Sequence, residues 1–176
     1  MNVPIDITQL PVPAQRILDP NGPEPLRKMA ARGVVPGLKP ADTITVVVLL
    51  AEGTGEIADT ARTTLGKLPT PLLNGALTGD LPAGVLDAMA PHFASNPEIA
   101  QKLLTHPAIA IATVETLAAL GNEAVTEIVA TNEERLLKYP SIIEKLYLNK
   151  ATRMSTADRI LELAVRNKLD LQGIPA

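Results

Sequence analysis

Two short stretches hold the residues best placed to do chemistry. In "TITVVVLLAEGTGEIADTA", Thr43 to Ala61, a β-branched run precedes Gly53, Gly55 and Ala58, and helical spacing follows. That is the G-x-G-x-x-A order by which a dinucleotide site brings pyrophosphate up to the first amides of a helix. Such a site needs a second strand some twenty residues later, ending in an acid that takes the ribose hydroxyl. The following residues, Thr63 to Gly79, are broken by Gly66, Pro69 and Pro71 and hold no β-branched run. The stretch therefore reads as a helix containing "VVVLL", a turn at Glu52 to Gly55, and a second helix. Valine and isoleucine weaken a helix only modestly, and burial overrides that preference.

The second stretch is "NKATRMSTADR", Asn149 to Arg159. Lys150 and Arg153 precede a helix whose first turn carries Ser155 and Thr156. Two cations, two hydroxyls and the free amides of a helix start form a candidate site for a phosphate or carboxylate. The alternative is a linker capped by Ser155 with its bases in water, and "STAD" has capping-box spacing with Asp where Glu is usual.

Other chemistries find less material. There is no cysteine, which removes disulfides and thiolate catalysis and takes from zinc its commonest ligand. His92 and His106 stand fourteen residues apart, without the i,i+4 spacing that puts two imidazoles on one metal, although Asp87 or Glu98 could join either. Ser95, Ser141 and Ser155 read as loop or cap residues, and Asp158 with Glu162 reads as a solvated helix face. No catalytic set, metal or cofactor is expected from these residues, and an enzyme is not the reading.

Whatever these residues do, short helices must position them. Apolar residues make up 46% of the 176, yet aromatics only 2%, so the core is aliphatic, which suits close helix-on-helix contact. Apolar side chains recur at helical spacing: Ile57, Ala61 and Leu65; Leu73, Ala76 and Leu77; Leu86, Met89, Ala90 and Phe93; Val114, Leu117 and Ala118; Val125, Ile128 and Val129; Ile160, Leu161, Leu163 and Ala164. Thr70 and Asn96 stand where a side-chain oxygen caps the next helix, while Asn122 and Asn132 precede Glu123 and Glu133-Glu134, acids set against the positive end of a helix dipole. In "NEERLLKYPSIIEKLYLN" a proline inside one helix would cost about 3 kcal/mol, so the spacing predicts two helices meeting at Tyr139 and Pro140, with Ile142, Ile143, Leu146 and Tyr147 inward. Glu98 with Lys102, Glu134 with Lys138 and Glu162 with Arg166 have the i,i+4 spacing of surface pairs.

The first 25 residues contain six prolines and read as an extended arm, followed by a short helix over "PLRKMAARG", Pro25 to Gly33. Pro71 to Pro97 and Pro82 to Pro107 span about two short helices each, a period that points to stacked hairpins. The stretches "LPTPLLNGAL", "LPAGVLDAMA", "NPEIAQKLLTHP" and "YPSIIEKLYLN" resemble bacterial helical-repeat proteins of the HEAT-like and leucine-rich-repeat-variant kinds, over residues 41–167. The resemblance implies a binding scaffold.

Charge narrows the partner. Residues 1–40, 41–132 and 133–176 carry +2, −7 and +2, for a net −3. An acidic middle disfavours a nucleic-acid groove and reads as an ordinary solvated acidic face, with steering of a basic partner as the alternative. The longest apolar run, Ile44 to Ala51, falls well short of the roughly 20 residues of a membrane span. The start has no basic or apolar signal region, so the expectation is a soluble cytoplasmic protein. The sequence thus predicts an all-α fold: a proline-rich arm over 1–25, a short α-solenoid over 26–168, and a tail or linker start over 169–176. The expected function is a non-catalytic interaction scaffold for another protein, with self-association as one form of it. The alternative is a regulatory domain that binds a nucleotide or other phosphorylated ligand at Lys150, Arg153 and Ser155 or at the Gly53–Gly55 turn.

Overall fold

The computed structural model describes residues 5–174, and every structural statement below concerns those. They form twelve α-helices and one 3-10 turn at Ile7–Gln9, with no strand among them. The chain divides into two compact units, residues 1–92 and 93–176.

The first unit begins with α1, Val12–Leu18, and α2, Glu24–Ala31, followed by α3, Pro40–Ala51, and α4, Glu56–Leu65. It continues with α5, Thr70–Leu77, and α6, Ala83–Phe93, whose last turn reaches the division. Its centre is α3, which packs against α1, α2, α4 and α5. This is the valine-rich stretch. Ile44, Val46, Val47 and Val48 are wholly buried, and so are Thr43 and Thr45 on the remaining faces. Beyond the exposed Pro40 only Ala41, Asp42 and Leu49 are half-buried, and a helix covered on most sides needs little polar face, which is why its residues show no amphipathic stripe. Burying each such side chain is worth about 1.5–3 kcal/mol, far more than the helix preference lost to β-branching. The two threonines satisfy their hydroxyls within the helix, donating to the carbonyls of Lys39 and Ala41. The dinucleotide fingerprint therefore sits between two helices. Gly55 is its one position that needs glycine, with φ +100° at the N-cap of α4.

Residues 1–25 depart from the extended arm expected of them. Residues 1–4 lie outside the described part, but Val12–Leu18 is helical and rests on α3, with Ala14 and Ile17 buried. The prolines do not prevent this because of where they fall. Pro11 and Pro23 occupy N-cap positions, and Pro13 and Pro25 the first turns of α1 and α2. There a missing N–H leaves no hydrogen bond unmade. The helix predicted at Pro25 to Gly33 is present as α2.

The second unit contains α7, Pro97–Thr105, α8, Ile111–Leu120, and α9, Glu123–Thr131, then α10, Glu133–Lys138, α11, Ser141–Leu148, and α12, Met154–Arg166. Here α9 packs on α7, α8, α11 and α12, and α11 packs on α8, α10 and α12. Asn96, Asn122 and Asn132 cap α7, α9 and α10, each accepting from the N–H three residues on, at 3.2, 3.0 and 3.1 Å. The corner at Tyr139 and Pro140 is present: Tyr139 N–H closes α10 on Arg135 O at 2.9 Å, and α11 opens after Pro140. Ile142, Ile143 and Leu146 are buried as expected, whereas Tyr147 is 41% exposed. Of the three expected i,i+4 pairs, Glu98 with Lys102 forms at 3.7 Å, while Lys138 stands 5.6 Å from the Tyr139 ring centre. Thr70 does not cap, since it is the first helical residue after Pro69.

Ile17 gives a direct test of the folded N-terminal segment, because its side chain is 1% exposed. Ile17→Ala is expected to destabilise the protein by about 2–5 kcal/mol in chemical denaturation, as other buried truncations do. A mobile arm would lose no more than about 0.5 kcal/mol.

Candidate binding surfaces

The predicted anion cluster lies at the start of α12, and its donors face carboxylates. Arg153 Nε meets Glu123 Oε1 at 2.5 Å, Thr156 donates to Glu127, and Arg159 lies 3.5 Å from Glu133. The hydrogen bond that Arg153 donates to Glu123, then the charges of Glu123 and Glu127, hold the Arg153 guanidinium above its ordinary pKa. The cap differs from the one predicted, because the helix begins at Met154 and Arg153 occupies the N-cap position, where its side chain makes no capping bond to the helix. Ser155 and Lys150 are exposed and Thr156 is buried. This cluster therefore forms a polar seam from α12 to α9 and α10.

Below the seam, Asn149 fastens the end of α11 to the end of α8. Its side-chain amide donates to Ala118 O and Gly121 O, both at 2.9 Å, while its Oδ1 accepts from Ala151 N–H. Asn122 makes the corresponding link one step back, with its N–H on Ala94 O and its side-chain amide on Ser95 O. Gly121 sits at this junction, where a Cβ would come within 2.5 Å of Leu117 O and 2.8 Å of Val125 Cγ1.

Three large apolar side chains are exposed at the same end of the second unit. Leu120 ends α8, Leu148 ends α11 and Met154 opens α12, with 56%, 58% and 81% of their surface exposed. Asn149 holds Leu148 beside the Ala118–Gly121 turn that carries Leu120. The Arg153–Glu123 pair holds Met154 near the start of α9, two residues beyond that turn. Lys145, in the last turn of α11, and Lys150 are exposed beside them and have no ion pair among the described residues.

The first unit has a cleft of about 550 Å³ that the sequence did not indicate. The turn after α2 brings Arg32, Gly33 and Val34 to it, α4 brings Thr60, Thr63 and Thr64, the connection into α5 brings Lys67 and Leu68, and α5 itself brings Leu72. Gly33 turns the chain with φ +80°. Thr64 ties the wall together by donating to Ala31 O at 2.5 Å across from α2. The other two hydroxyls bond back along their own helix, Thr60 to Glu56 O and Thr63 to Asp59 O. Arg32 and Lys67 supply the only charges of the lining, and neither has an ion pair among the described residues.

The remaining chemistry-bearing residues are placed apart from any site. The Gly53–Gly55 turn is clamped by Arg62, which donates to Gly53 O at 2.6 Å and pairs with Asp59 at 2.7 Å. His106 is buried, and its Nδ1 accepts the N–H of Ala108 at 3.1 Å, whereas His92 is exposed in α6. Among the described residues, no three His, Asp or Glu side chains gather where they would hold a metal ion. No helix among them is long and apolar enough to cross a membrane. Arg27 Nε is buried without a hydrogen-bond partner, beside a cavity of about 180 Å³ with room for a water to accept its proton.

Compared with protein-family profiles, curated proteins and solved structures, the chain matches none.

The Asn149 junction generates a stability prediction. Asn149→Ala removes both side-chain donors and leaves two partly buried carbonyls bare, for an expected loss of about 1–3 kcal/mol in a denaturation curve. Lys150→Ala, on an exposed neighbour with no ion pair, is expected to change stability by less than about 0.5 kcal/mol.

Proposed function

We propose that this protein is a non-catalytic helical-repeat module that binds another protein through the apolar end of its second unit. The observation that carries the reading is that Leu120, Leu148 and Met154, at helix ends joined by the Asn149–Gly121 and Arg153–Glu123 bonds, are all more than half exposed. Scattered single apolar residues are ordinary on a protein surface, but a contiguous group bordered by polar side chains marks an interaction site. The bordering cations Lys145 and Lys150 are unpaired, so the partner that fits presents aliphatic side chains flanked by acids.

Support for a solenoid arrangement comes from the spacing of the stitches. Ser141 bonds Glu115, Asn149 bonds Gly121, Thr156 bonds Glu127, Arg153 bonds Glu123 and Arg135 bonds Leu104, at separations of 26, 28, 29, 30 and 31 residues. Near-constant separation is what stacking of one kind of unit on the next produces. It agrees with the resemblance to HEAT-like and leucine-rich-repeat-variant proteins, whose exposed faces are binding surfaces. The alternative reading, a phosphorylated ligand at Lys150, Arg153 and Ser155, gains no support, because Glu123 already neutralises Arg153.

The test is reconstitution. Crosslinking in a lysate of the source organism names a candidate, and the purified pair is then titrated. Saturable binding that weakens at least tenfold in Leu148→Asp/Met154→Asp, with helical content unchanged, is expected from the loss of about 1.4 kcal/mol or more of contact energy. Binding that ignores those substitutions, or turnover of a small substrate by the purified chain, would refute the reading.

A further inference from the structure

We propose that the cleft of the first unit is a binding site for a small amphipathic anion, a compact aliphatic body ending in one carboxylate or phosphate. This goes beyond the protein-binding reading and does not depend on it. The cleft's volume, about 550 Å³, lies within the ordinary range of small-molecule sites, which run from about 300 to 1,000 Å³.

Its lining dictates the chemistry of the occupant. Val34, Leu68 and Leu72 offer apolar contact. The three threonines add little donor capacity, because each hydroxyl hydrogen is already engaged by a backbone carbonyl. With its hydroxyl thus turned to Ala31 O, Thr64 sets its methyl 3.5 Å from the Cβ position of Gly33. What remains to meet a polar ligand group is charge, and both charges are positive.

Lys67 is the telling residue. Residues 41–132 carry ten acids and three bases. Two of those bases, Arg62 and Lys102, are paired with Asp59 and Glu98. Lys67 stands without a carboxylate in the most acidic part of the chain, and Arg32, equally unpaired, stands with it on the lining. A guanidinium offers an anion two parallel N–H groups and an ammonium adds a point charge, so one carboxylate or phosphate satisfies both. An uncharged ligand would leave the cations unused, and a bare inorganic ion would leave the apolar wall uncovered.

The experiment is an amide-resolved NMR titration of the full chain with octanoate and, separately, with hexyl phosphate. Octan-1-ol and inorganic phosphate are titrated as controls. Saturable shifts confined to Gly33, Val34 and residues 60–72 are expected for at least one of the two amphiphiles, and the tighter one identifies the head group. Both controls are expected to bind at least tenfold more weakly. Arg32→Gln/Lys67→Gln, on exposed side chains whose removal leaves the fold intact by circular dichroism, is expected to weaken binding about tenfold or more, as loss of charge-assisted bonds does. The proposal is overturned if octan-1-ol or inorganic phosphate equals the amphiphiles, or if the double variant binds as the parent does. It is equally overturned if the shifts fall elsewhere, if only an acidic peptide binds, or if millimolar ligand fails to saturate. The Leu148→Asp/Met154→Asp variant should bind the amphiphile normally, so the two readings fail separately.

Discussion

Helix length is the constraint on which the rest of the structure depends. The longest described helix, α12, has thirteen residues and the shortest, α10, has six. Isolated helices of this size are marginal in water, because nucleation costs more than a few internal hydrogen bonds return. Each must therefore gain its stability by burying a face on a neighbour, and with almost no aromatic residues that face is made of Ala, Val, Ile and Leu. Small side chains bring helices close. Gly75 in α5 shows how close: a Cβ there would lie 3.0 Å from the Pro40 ring at the start of α3. At Gly121 even a methyl finds no room.

Close packing of short helices creates many helix ends, and each end exposes backbone groups that need partners. Several recurring solutions appear. Proline at an N-cap or in a first turn removes a donor that had no acceptor. Asparagine caps supply an acceptor to α7, α9 and α10. Asn149 and Arg135 reach carbonyls at the ends of α8 and α7, so the end of one helix is satisfied by a side chain from later in the chain. The same side chains that complete a helix end thus set its neighbour's position, which couples local capping to tertiary arrangement.

Much of this was legible in the sequence where a single local rule governed. The Asn96 cap, the corner at Tyr139 and Pro140, and the helix at "VVVLL" follow from capping, from the cost of an interior proline and from burial. In the N-terminal segment proline density alone points to an extended arm, which the helix at Val12–Leu18 overturns. What matters is register: Pro11, Pro13, Pro23 and Pro25 each fall at a helix start. Residue type alone makes caps of Ser155 and Thr70, but α12 begins one residue before Ser155 and α5 begins at Thr70 itself. The cleft was not legible at all. Its lining comes from residues 32–34, 60–64 and 67–72, and no spacing rule joins a turn to a helix thirty residues away. The one available signal was Lys67, a base in an acidic stretch without an acid at i±3 or i±4.

Pairing of charge separates structural polar residues from those open to a ligand. At the start of α12 the sequence places cations and hydroxyls in the pattern of an anion site, yet two acids of α9 and one of α10 stand opposite them. Those acids are ordinary surface residues in the sequence, and only the stacking of α12 on α9 reveals their role. In the first unit the reverse holds. Arg32 and Lys67 look like solvated surface charges, and the folded chain places them on one concave, partly apolar surface without an acid. An exposed ion pair contributes little to stability and is screened by salt. Leaving two cations unpaired there therefore sacrifices little stability, while it gives a passing anion a low-dielectric wall to lie against, where each charge acts more strongly than it does in water.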